Sequence, residues 1–117
     1  MEKKNLIFSV IMLVFVFMLT SFNASAQDIA KANPKYAKVL ADTLGVRMIK
    51  VTLAPGEELA MHSHPVWMVY VIESGQLSDG DLKAGSYAQG LPMKHSLKNT
   101  GTTTCVFLDI EIKDARK

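Results

Sequence analysis

Three histidines, His62, His64 and His95, are the only imidazoles in the 117-residue chain. Their types and spacing invite one kind of chemistry. His62-Ser63-His64 is an H-x-H step, and in an extended strand residues two apart point to the same face, so both rings can converge on one point. Neutral imidazole is a common ligand for zinc, copper, iron and nickel, and three of them leave a coordination position open for water or a substrate. An H-x-H step alone is a weak signal. The plainer reading is two surface histidines in a loop and a third on a strand.

The element that must position the pair runs from Pro55 to Gly75, with glycines as turns at both ends. A strand rich in β-branched and aromatic residues (Val66, Trp67, Val69, Tyr70, Val71, Ile72) follows the histidines directly. If it continues His62-Ser63-His64 without a bulge, parity puts Met68, Tyr70 and Ile72 on the histidine face as pocket residues and turns Trp67, Val69 and Val71 away. Met68 then has two readings, a thioether ligand suited to copper or a flexible apolar filler of the wall. Tyr70 is the weak catalytic candidate, as a proton donor. Glu58 shares parity with His62 and is a remoter candidate, more simply read as a solvated turn acid.

Elsewhere the chain reads as short strands punctuated by Gly, Pro, Asn and Asp, the pattern of an all-β sandwich or barrel. Val46 to Ala54 alternates, with Ile49, Val51 and Leu53 on one face. Gly75 to Gly80 is a short strand into an Asp-Gly turn, its Ser and Asp residues read as turn formers. Tyr87 and Gln89 share parity before the turn at Gly90-Leu91-Pro92, which delivers His95; both count as pocket candidates, Gln89 as a neutral ligand or substrate anchor. The last strand carries Val106, Leu108, Ile110 and Ile112 on one face and Cys105, Phe107, Asp109 and Glu111 on the other. Cys105, the lone cysteine, rules out an internal disulfide and reads as a small buried hydrophobe. Because the Val66 to Ile72 strand is apolar on both faces, both must be covered, which makes a homodimer the default.

These segments resemble the cupin superfamily. Gly56, His62, His64 and Gly75 fall on its first motif with the spacing intact, and His95 and Asn99 fall on its second. The chain departs where Met68 stands in place of the usual carboxylate ligand, where Gly90 and Pro92 stand for Pro and Gly, and at Gly85, one residue nearer the histidine. The resemblance spans about Val46 to Ile112. It implies a jelly-roll, or double-stranded β-helix, barrel and a divalent transition metal (Zn, Cu, Fe, Ni or Mn) held by His62, His64 and His95. It permits oxygenase- or isomerase-type chemistry on a small-molecule ligand, and equally a non-catalytic metal- or small-molecule-binding protein.

The start of the chain predicts where the protein works. Lys3 and Lys4, an apolar run from Leu6 to Leu19 and a closing Ala24-Ser25-Ala26 read as a secretory signal peptide over 1–26, and the apolar run is too short for a membrane span. Cleavage would leave Gln27 first and an N-terminal arm over 27–45 ahead of a barrel domain over 46–117. The mature protein is then expected in a bacterial periplasm or outside the cell, free of the membrane. Removing 1–26 takes Glu2, Lys3 and Lys4, so the formal net charge falls from +2 to +1. A charge so near zero, without a basic cluster, gives no support for a nucleic-acid partner. A mature chain of this size buries a modest core, which oligomerisation commonly reinforces.

Overall fold

The computed structural model describes residues 27–113, so the signal peptide read over 1–26 lies outside the described residues. Two sheets and a short hairpin build the barrel. Strands β1 (Gln27–Asp28), β4 (Glu58–His64) and β9 (Met93–Lys98) form one sheet in the order β1-β4-β9. Strands β2 (Ala37–Thr43), β3 (Val46–Leu53), β5 (Val66–Glu73), β8 (Tyr87–Gly90) and β10 (Cys105–Ile112) form the second in the order β2-β3-β10-β5-β8. Strands β6 (Gly75–Leu77) and β7 (Gly80–Leu82) pair as a hairpin.

The expected face of β3 holds, since Ile49, Val51 and Leu53 are buried and meet Leu59 of β4, Leu97 of β9 and Phe107 of β10 in one core. Cys105 is buried in that core beside Gly75, where a β-carbon would lie 2.5 Å from that of Cys105. Asn99 is fully buried and structural: its Nδ2 donates to the carbonyls of Leu53 (2.8 Å) and Thr103 (2.9 Å), tying the turn before β10 to the sheet.

The arm over 27–45 enters both sheets. Gln27 and Asp28 pair in parallel with His62 and Ser63, and β2 pairs antiparallel with β3 along its length. Between them a single turn of helix, α1 (Ile29–Ala32), is capped by Asp28, whose Oδ1 accepts from the Lys31 amide at 2.9 Å. Leu44 and Gly45 join β2 to β3 with φ of 54° and 77°, the signs of the tight hairpin turn that matches strand twist.

Candidate metal centre and its cavity

The two histidines of β4 are aimed by a local departure from regular strand. In β4, Leu59 pairs with Leu97 and His62 with His95, so one extra residue is inserted between them on the β4 side. This bulge at Ala60-Met61 reverses parity: Leu59 points in, and so do His62 and His64. Glu58 therefore does not share the histidine face. It is exposed and paired across from Lys98, which corrects the parity argument that joined it to the site. The bulge is pinned from the arm, because the Asn33 side chain accepts from the Ala60 amide at 2.7 Å and is itself buried. The Ala60 carbonyl in turn faces His62 Nδ1 at 2.7 Å, so Nδ1 carries the hydrogen and donates, leaving the lone pair on Nε2.

His64 is oriented from the opposite sheet. Its Nδ1 lies 2.9 Å from Glu111 Oε2 and 3.3 Å from Asp109 Oδ2, both from β10. Glu111 is held in turn by Arg47 (3.0 Å), which also pairs with Asp28 (3.1 Å). The inner face of β10 thus carries acids, while Leu108, Ile110 and Ile112 stay only half-buried outside. His95, on β9, turns Nδ1 toward Asp79 Oδ2 at 3.4 Å, from the β6–β7 turn.

With the Nδ1 atoms of His62 and His64 held by acceptors, and that of His95 turned toward Asp79 without a hydrogen bond, the Nε2 atoms converge. Those of His62 and His64 are 2.9 Å apart, and those of His64 and His95 3.1 Å. Three lone pairs meeting at such distances repel unless a proton or a metal cation lies among them. Two nitrogens bound to one ion at about 2.0–2.1 Å and near right angles would lie about 2.9 Å apart. The donor set therefore fits a first-row transition metal. Electrostatics agree: burial disfavours the His64 cation, yet the Asp109 and Glu111 carboxylates outweigh it and raise His64 to about 9. Burial, with the charge on His64, lowers His62 to about 4 and also lowers His95. The centre is built to hold positive charge at one point. Asp109, Glu111 and His64 also lie close enough together to count as a ligand group, but Glu111 is already engaged by Arg47.

The centre opens into a cavity of about 290 Å³. Its walls include Leu59, Leu77, Val69, Leu97, Phe107 and Trp67, with Asp79, Asp81 and Asp109 as its acids. The expected pocket residues of β5 and β8 are not among them. Met68 (36% exposed), Tyr70 (46%), Ile72 (42%) and Tyr87 (71%) lie on the outer surface, and Gln89, exposed and paired with Met68, lies there too. The physical reason is Pro65. Lacking an amide hydrogen it cannot extend the ladder, and at this bend the chain leaves the three-stranded sheet for the five-stranded one and shifts phase by one residue. Trp67 and Val69 take the inner face instead. The Trp67 indole donates to the Leu91 carbonyl at 3.0 Å and packs so closely on Gly90 that a β-carbon there would lie 2.5 Å from the ring.

Three residues of this assembly escaped sequence reasoning. Asp109 and Glu111 stood in plain alternation opposite an aliphatic face, and alternation alone does not say which face turns inward. Asn33 sits in a polar arm with no chemical signature. A signal for the first two did exist: paired acids in the middle of an otherwise apolar last strand.

No protein-family model matches the chain, and no curated protein matches it. Solved structures do. A cupin domain from Bordetella pertussis Tohama I superposes with a TM-score of 0.61 at 23% identity, covering 78% of this chain and 99% of that one. A cupin with a double-stranded β-helix fold from Methanocaldococcus jannaschii gives 0.56 at 17% identity, covering 78% and 91%. An oxalate decarboxylase matches at 28% identity with a TM-score of 0.55 over 68% of this chain, but over only 26% of its own length. Strand order, barrel closure and these superpositions agree: the chain has the cupin-type double-stranded β-helix fold.

Proposed function

We propose that the protein binds one divalent transition metal through His62, His64 and His95 and uses it on a small organic molecule admitted by the adjoining cavity. One observation carries this reading: three Nε2 atoms converge while the Nδ1 atoms of His62 and His64 are held by acceptors, an arrangement that leaves the convergence point fit for a cation. Bound there, a metal would supply Lewis acidity and an open coordination position. The chain's own residues would do the rest. Ala60 and Glu111 hold the His62 and His64 rings in register, the apolar walls exclude bulk water, and Asp109 and Asp79 place carboxylates beside the reacting volume.

The candidate acid–base role passes from Tyr70, which lies on the outer surface, to these aspartates. The alternative, a cupin that binds without catalysis, shares the same site and differs only in turnover. We also take the protein to be an exported homodimer. The leader-like residues 1–26 support export. The outer face of the five-stranded sheet supports a second copy, because Met48, Ile110 and Met68 lie in one cross-strand row and Leu108, Tyr70 and Tyr87 in the next.

Metal analysis of the purified protein and of His62→Ala and His95→Ala tests the centre. The account expects about one ion per chain, lost in both variants; unchanged stoichiometry in both would remove the shared site. Oxygen uptake or product formation on a panel of phenols, keto acids and sugars, abolished in the same variants, separates the enzyme from the binding protein.

A further inference from the structure

The three imidazoles fill three corners of a four-cornered patch on the β4–β9 ribbon. His62 stands opposite His95 and His64 opposite Met93, while the Ser63–Lys94 pair between them alternates to the other face. Directly opposed residues hold their β-carbons about 4.5–5.5 Å apart, and residues two along a strand are separated by about 6.6 Å. The four β-carbons thus outline a rectangle whose middle lies about 4 Å from each of them. Met93 is half-buried and lines the cavity together with the three histidines. Of the four methionines among the described residues, it alone does so.

The fourth corner therefore carries a thioether. The other polar side chains of the cavity are committed elsewhere or approach from elsewhere. Asp109 and Asp79 meet His64 and His95 at their Nδ1 edges, not at the converging Nε2 atoms. The Trp67 indole offers a hydrogen and no lone pair, and it donates that hydrogen to the Leu91 carbonyl. Asp81 is exposed on β7. What Met93 adds is a soft, uncharged donor. Thioethers suit cuprous copper, whereas zinc is bound by thiolate, imidazole and carboxylate.

We propose that Met93 is a fourth, metal-selecting ligand, its thioether completing with His62, His64 and His95 a donor set for cuprous copper, and that zinc held by the same imidazoles leaves the thioether aside. This rests on the metal-centred reading and deepens it, because it names the ion the site prefers. The sequence alone pointed to a thioether at the metal but placed it on Met68. Pairing in the sheet puts it on the neighbouring strand, opposite His64.

The test loads the chelated protein with cuprous copper under anaerobic conditions, or with zinc, and measures both affinities at one fixed pH by competition with chromophoric chelators. Met93→Leu keeps the volume and removes the sulfur. It should weaken cuprous binding at least tenfold and change zinc binding less than about twofold, while Met68→Leu, on the outer surface, changes neither. X-ray absorption on the cuprous protein should show a sulfur scatterer beside the imidazoles, retained in Met68→Leu, lost in Met93→Leu and absent from the zinc form.

A cuprous shell of nitrogen and oxygen alone, or a Met93→Leu variant that weakens both ions equally or neither, would overturn the inference. Should Met93→Leu fail to fold, the shell of the unmodified cuprous protein still decides the matter: sulfur in it supports the assignment, and its absence refutes it. Copper and zinc both bound by three imidazoles without sulfur would leave the metal centre standing and remove Met93 from it. Full retention of both ions in His62→Ala and His95→Ala would sink the centre itself, and this inference with it.

Discussion

Metal uptake at this centre should displace a proton from His64, and Glu111 sets how tightly that proton is held. With His64 at about 9 in the metal-free protein, its ring is about 99% protonated at pH 7 and about 90% at pH 8. The Nδ1 hydrogen stays on His64, donated to Glu111, throughout; the Nε2 hydrogen is the one the ion replaces. Zinc binding at pH 8 should therefore release about 0.9 proton from this residue, whereas His62, lowered to about 4, releases none. The proton costs the metal about 3 kcal/mol at pH 7, so apparent affinity should climb about ninefold from pH 7 to 8 and about fivefold from pH 8 to 9. Glu111→Gln removes the acceptor 2.9 Å from Nδ1 but leaves Asp109 at 3.3 Å, which should lower His64 by about one to two units and cut the release at pH 8 to between about 0.1 and 0.5. Calorimetry in two buffers of different ionisation enthalpy measures the release directly. Equal proton release in the wild type and Glu111→Gln, or an affinity flat from pH 7 to 9, would refute the assignment of His64 as the protonated member.

Five further outcomes follow from the same structure. In the chelated protein the raised His64 stabilises the fold fully below about pH 6.5 and loses that contribution as pH rises through about 9, while the depressed His62 contributes above about 6.5 and loses it as pH falls toward 4; urea midpoints should therefore peak near pH 6.5 and decline on both sides. Asn33→Ala frees the bulge that presents the Ala60 carbonyl to His62 and should weaken metal binding about 10- to 100-fold, as loss of an outer-sphere partner does, measured by competition with a chromophoric chelator. Leu44, with φ of 54° and nearly full exposure, should gain about 1 kcal/mol on replacement by Asn and raise Tm by about 4–8 °C in a thermal melt. Met68→Leu should leave copper and zinc affinities equal to wild type, because the side chain lies outside; Tyr70→Lys, on the same outer face, should shift a sedimenting dimer toward monomer.

Which parts of this were legible in the sequence has a physical explanation. The all-β class, the inward face of β3, buried Cys105 and the three histidines all rest on local period and composition, which a single chain displays openly. The pocket wall did not, because it depended on carrying parity through Pro65 and across Ala60-Met61. A period of two tolerates no inserted residue, so one bulge and one corner were enough to turn Glu58, Met68, Tyr70 and Ile72 to the outside and Trp67 inward. Contacts between distant segments left no local trace either. The Asp28–Arg47–Glu111–His64 chain joins four strands, and only the closed barrel brings them together.

X-ray absorption on the protein loaded with one equivalent of zinc addresses the central claim most directly. The account predicts three imidazole nitrogens at about 2.0–2.1 Å with light-atom donors completing the shell. Fewer than three imidazoles, or a sulfur scatterer at about 2.3 Å, would contradict a centre built by His62, His64 and His95.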